Sequence, residues 1–172
     1  MPKKGQTIAA RKQYADITLL INEIGKEING TLNARQADKY FEGIVLLYSF
    51  IENLLKWLAW IELLWISAER RDLRPGDWKP VHDYAKSLSF YNAQQLAFSL
   101  NLLDRKLFTD LDTIRRERND VVHQFWVYAH RGNRLVLRKK LEKLAGTANR
   151  LVGVFNKLVR KVGVDEVYEL FL

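Results

Sequence analysis

The sequence predicts an all-α helical bundle with one long central helix and a long C-terminal helix. Two observations carry this prediction. Apolar residues recur at three- and four-residue spacing along most of the chain, and almost nothing alternates with period two. RLVLRK, Arg134 to Lys139, is the one candidate strand. Composition adds a third: 172 residues, 48% hydrophobic, 28% charged, nine Gly, three Pro and no Cys describe a single helical domain over 1–172, with a flexible basic tail over 1–6. A chain of this length buries roughly 70% of its unfolded surface, so its core needs no disulfide or metal.

Tyr14, Ile17, Ile21, Ile24 and Ile28 form one stripe of a first helix from about Thr7 to Ile28, with Asn29-Gly30 as its stop. Thr31 or Asn33 can cap a second helix that runs through Tyr40 and Phe41 to about Arg70. Its apolar run, Ile44 to Ile66, is long enough to cross a bilayer, but Glu52, Asn53, Lys56 and Glu62 interrupt it. A charge at bilayer depth costs about 2.5 to 3.5 kcal/mol. The run therefore reads as the buried helix of a bundle, not a membrane span. Arg71 to Pro80 is a loop rich in Pro, Gly and charge.

Short helices follow over about Val81 to Leu88 and Asn92 to Leu103, and Asp104 caps a helix reaching about Tyr128. Ala129 to Asn133 is a turn. Leu137, Leu141, Leu144, Ala148, Leu151, Phe155 and Leu158 then mark a last long helix over Arg134 to Lys161, with a short one from Asp165 to Leu172.

Net charge is +8, which steers polyanions toward the surface and makes nucleic acid the leading partner class. No phosphate-loop, dinucleotide, zinc-protease or serine-hydrolase motif occurs. Without Cys and with three scattered His, no metal site and no cofactor are expected. No apolar h-region follows MPKKGQ, so export is not expected and the cytoplasm is the expected location.

The segment with the most chemistry is TIRRERNDVVHQFW, Thr113 to Trp126. His titrates near neutral pH, and Arg is a permanent planar cation matched to phosphate. Together they can move a proton and stabilise a charged phosphorane, which is the minimum for cleaving RNA through its own 2′-hydroxyl without metal. At about 100° per residue, Arg116, Asn119, Asp120 and His123 share one helical face. Arg118 leans toward the apolar side with Ile114, Val121, Val122 and Phe125. An Arg there needs a partner from another helix, and Glu52 and Asn53, on a polar seam with Ser49 and Lys56, are the candidates.

Arg118-Asn119-Asp120-Val121-Val122-His123 resembles the R-x4-6-H motif of HEPN domains, the helical superfamily named for higher eukaryotes and prokaryotes nucleotide-binding. The resemblance implies a metal-independent endoribonuclease formed where two protomers pair with their motifs facing. Arg118 and His123 would then be catalytic and Asn119 would assist, with Arg116, Asp120, Glu52 and Asn53 supporting them. It also implies a role in toxin–antitoxin or defence systems, with an antitoxin or a nucleotidyltransferase as protein partner. Phe125 stands where one toxin subclass carries the Tyr that receives nucleotidyl groups. A catalytically silent interaction module of the same fold is the rival reading.

Trp126 is a candidate for base stacking. Arg131, Arg134, Arg138, Lys139, Lys140 and Lys143 form the densest basic patch and are candidates for gripping RNA backbone. A homodimer is expected because the apolar run of the central helix has more surface than a bundle of this size can obviously cover.

Overall fold

The computed structural model describes residues 4–70, 78–123 and 134–161. Six helices make up the described fold: α1 Lys4–Ala34, α2 Ala37–Arg70, α3 Trp78–Ser87, α4 Phe90–Ser99, α5 Arg105–His123 and α6 Arg134–Lys161. Among the described residues there is no strand. RLVLRK belongs to α6, where Leu137, Leu141 and Leu144 are buried at helical spacing and Leu135 and Val136 face solvent.

Helix α1 is longer than its sequence pattern implies at both ends. It is already helical at Lys4, so residues 4–6 are not a tail, and it continues through Asn29-Gly30. An interior Gly costs a helix about 1 kcal/mol. The stripe Ile17, Ile21, Ile24 and Ile28 buries against the core and carries the helix past that cost, with buried Thr31 adding one more turn. Arg35 ends it in the left-handed region at φ 56°, which displaces Thr31 and Asn33 from the capping role. Helix α2 begins at Ala37, with Asp38 in its first turn, where a carboxylate complements the helix dipole.

The break before α3 is shorter than expected, because Pro80 lies in the first turn of that helix, where a missing N–H is no loss. Helix α4 starts at Phe90, capped by Ser89, whose Oγ accepts the Asn92 N–H at 3.2 Å. It closes on Asn101 at φ 58°, with Asn101 N–H donating to Phe98 O and Leu102 N–H to Ala97 O. That is a Schellman ending, and Asn tolerates the left-handed position. Asp104 caps α5 as its sequence implies: Oδ1 accepts the Leu107 N–H at 2.7 Å. The expected C-terminal part of α5, the turn after it and the final short helix lie outside the described residues.

Helix α2 is the axis of the bundle and packs on α1, α3, α4 and, most extensively, α6. Buried residues from all six helices form one contiguous cluster. Tyr40, Ile44, Leu47, Ile51, Leu54, Leu55 and Leu58 are completely covered. The apolar span of α2, long enough on composition to cross a membrane, is thus mostly buried inside the bundle. Val45 is the exposed large apolar residue on α2, while Leu46, Trp57, Ile61, Leu63, Leu64, Trp65 and Ile66 are partly covered among the described residues.

Gly43 sits where α1, α2 and α6 converge. A Cβ there would stand 2.9 Å from Thr31 Cγ2 and 3.1 Å from Leu141 Cδ1, whereas one at Gly30 would meet nothing. Gly43→Leu is therefore expected to cost about 1 to 3 kcal/mol by overpacking. Gly30→Ala should gain up to about 1 kcal/mol from helix propensity. Urea titration of both variants checks the opposed signs.

Candidate functional site

The motif lies on α5, and ion pairs fix where that helix sits. Arg150 Nη2 of α6 reaches Asp110 Oδ2 at 2.5 Å, and Lys143 and Lys140 of α6 reach Glu117 at 3.3 and 3.5 Å. Numbers fall along α6 as they rise along α5, so the two helices run antiparallel. Gly43 against Leu141, and Glu62 against Lys161 at 2.8 Å, show that α2 and α6 run parallel. The C-terminal end of α5 therefore approaches the N-terminal end of α6. His123 is six residues, about 9 Å of helix, beyond Glu117. That brings its backbone to the end of the bundle where α6 begins with Arg134.

Arg118 meets the partner its helical position calls for. Its Nη1 donates to Glu52 Oε2 at 2.6 Å, and Lys56 Nζ lies 2.9 Å from the other oxygen of the same carboxylate. The side chains of Arg118, Glu52 and Lys56 are 36%, 18% and 17% exposed. Of the two candidate partners, Glu52 takes the contact; Asn53, one residue on around α2, faces solvent and has no part in it. Two cations share one carboxylate here, so the trio keeps a net positive charge.

The same arithmetic recurs twice on α5. Asp112 takes Arg115 Nη2 at 2.8 Å and Arg116 Nη2 at 2.8 Å on its two oxygens. The hydrogen bond from Arg115 is the main cause that holds the Asp112 carboxyl below its ordinary range; desolvation opposes it and the charges of Arg116 and Arg115 add to it. A lowered carboxyl pKa gives stability that is complete above the unfolded value and is lost as pH falls through the folded one. The Asp112 carboxylate is thus ionised at neutral pH. Glu117 with Lys140 and Lys143 makes the third. Sequence reasoning missed Asp112 and Glu117. The i, i+3 and i, i+4 spacing of Asp112 to Arg115 and Arg116 was a readable signal. Nothing in the sequence pairs Glu117 with a helix 23 residues away.

The remaining candidates separate. Arg116 is 73% exposed and is tied only to Asp112 among the described residues. Asn119, Asp120 and His123 are placed as backbone positions on α5. His123 falls seven residues after Arg116, which puts both on one stripe of the helix, whereas it stands about 140° around the axis from Arg118. In the basic patch, Arg138 is held by Glu142 at 2.9 Å and Lys140 by Glu117, while Arg134 and Lys139 are exposed and make no ion pair among the described residues. Trp126 and Arg131 lie outside the described residues. No group of His, Asp and Glu that could hold a metal is present among the described residues.

Comparison with models of protein families, with curated proteins and with solved structures gave no match.

Proposed function

We propose that the protein is a metal-independent endoribonuclease of the HEPN type, acting in the cytoplasm on single-stranded or loop RNA as a toxin or defence enzyme. The observation that carries the proposal is the Arg118–Glu52–Lys56 trio. It anchors the motif helix to the central helix and leaves a net positive charge beside the motif. His123 accepts the proton of the 2′-hydroxyl as that oxygen attacks the adjacent phosphorus. The P–O5′ bond breaks, the departing oxygen takes up a proton from solvent water, and the products carry a 2′,3′-cyclic phosphate and a 5′-hydroxyl. Arg118, with Arg116 at the exposed edge, stabilises the charged phosphorane. Asn119, four residues before His123, assists it in this reading.

Arg118 and His123 stand about 140° apart around α5, on two different stripes of the helix. Pairing of two copies with the motifs facing brings the stripes of both copies to one cleft. Sedimentation is expected to show a dimer at micromolar concentration; a monomer at that concentration contradicts the pairing. An antitoxin or a modifying nucleotidyltransferase is the class of protein partner this reading brings with it.

Cleavage of mixed single-stranded RNA in EDTA, beside His123→Ala, tests the function. RNA affinity is also expected to fall steeply with salt. Because Arg138 and Lys140 are engaged by carboxylates, Arg134 and Lys139 contribute most of the patch's phosphate contacts. Replacing both with Ala should flatten the slope of log K against log salt by roughly 1.4, the single-strand value for two phosphates. An unchanged slope clears the patch of any role.

A further inference from the structure

The surface of α5 continues past the motif onto an aromatic side chain. Tyr91, in the first turn of α4, is 48% exposed, and the guanidinium carbon of Arg115 lies over its ring at 5.1 Å from the centroid. Arg115 precedes Arg118 by one turn on the same side of α5. It is held from behind by Asp112, whose Oδ1 accepts both Nε at 3.2 Å and Nη2 at 2.8 Å. The platform under it is also fixed. Ser89 caps α4, and buried Gln94 donates from Nε2 to Phe108 O of α5 at 2.8 Å, which locks the α4–α5 hairpin. Phe98 and Phe108 pack further along the same hairpin at 4.5 Å between ring centroids.

We propose that Tyr91 and Arg115 form a base-stacking subsite for single-stranded RNA, one helical turn from Arg118. The subsite rests on the reading of α5 as an RNA-cleaving surface. Its ingredients are those a single strand needs. Arg115, Arg116 and Arg118 form a cationic edge that follows the backbone, and a half-exposed, preoriented aromatic ring accepts a base without regard to its identity. From His123 to Arg115 is eight residues, about 12 Å along the helix axis, so a strand lying across the motif reaches Tyr91 within a short stretch. The base stacks on the ring face opposite the Arg115 guanidinium, so that the ring lies between base and cation.

The test is binding of a labelled oligoribonucleotide bearing 2′-O-methyl groups, which cannot undergo 2′-attack, to the parent protein and to Tyr91→Ala, Tyr91→Leu and Tyr91→Trp. Each protein is also tested with an abasic oligomer of equal charge. Loss of one stacked base is worth about a five- to hundredfold weakening. Tyr91→Ala and Tyr91→Leu are expected to bind the complete oligomer that much more weakly and the abasic one equally well, with Tyr91→Trp as tight as the parent. Equal weakening on both oligomers means that Tyr91 only shapes the surface, and overturns the subsite. If the parent cleaves RNA and Tyr91→Ala binds and cleaves like it, the subsite falls and the nuclease reading stands. If Tyr91 shows its base-dependent effect in a protein that cleaves nothing, the subsite stands without the nuclease. A parent that binds no RNA removes both.

Discussion

Replacing Glu52 with Ala should destabilise the protein by roughly 2 kcal/mol, more than replacing Arg118 with Ala does. The reason is the trio's asymmetry. Removing one partner of a fully buried pair costs about 3 to 5 kcal/mol, because the other charge is left unpaired out of water. Here the groups are partly exposed, which reduces the figure. Glu52→Ala leaves Arg118 and Lys56 facing one another with no carboxylate between them. Arg118→Ala leaves Glu52 still bound to Lys56 at 2.9 Å, so its expected cost is about 1 kcal/mol. Urea midpoints at constant m-value read the difference. Equal losses, or a larger loss for Arg118→Ala, would show that Lys56 does not share the carboxylate. In the double variant the loss should be smaller than the sum of the single losses, because the groups form one network.

The largest effect is expected at His123. On the proposed reading, His123→Ala lowers the rate of RNA cleavage about a hundred- to ten-thousandfold, the usual contribution of a general acid–base group. Its position shares the stripe of Arg116, which is mostly in water, so thermal unfolding should be unchanged. A variant that cleaves like the parent points to a contaminant or to another proton carrier. A variant that unfolds well below the parent places the imidazole in the core.

The helical periodicity of the chain made its architecture legible: the long α2 and α6, the Asp104 cap of α5 and the burial of α2 follow from residues read in order. Where the reading failed, a local signal was overruled by packing. Asn29-Gly30 is a stop signal in isolation, but Ile28 and Thr31 on either side are buried and the helix is carried through. RLVLRK alternates over too few residues to outweigh a stripe that continues to Leu158. At the site, the demand that Arg118 find a carboxylate was legible from the helical wheel, and Glu52 was one of two answers. The choice between Glu52 and Asn53 depends on how α5 is rotated against α2, which only the folded packing sets. Tyr91 carried no signal, because a lone Tyr in a short helix gains meaning only when Arg115 is folded over it.

Metal-free cleavage by the strand's own 2′-hydroxyl, as proposed, leaves a chemical signature on the product ends. Purified protein is incubated with a single-stranded RNA in EDTA, and the termini of the fragments are identified by mass spectrometry. The expected fragments end in 2′,3′-cyclic phosphate with 5′-hydroxyl partners, and the same sequence is not cleaved when its 2′-hydroxyls are methylated. Cleavage that requires a divalent ion, that leaves 5′-phosphates or that proceeds on the methylated strand would contradict that chemistry.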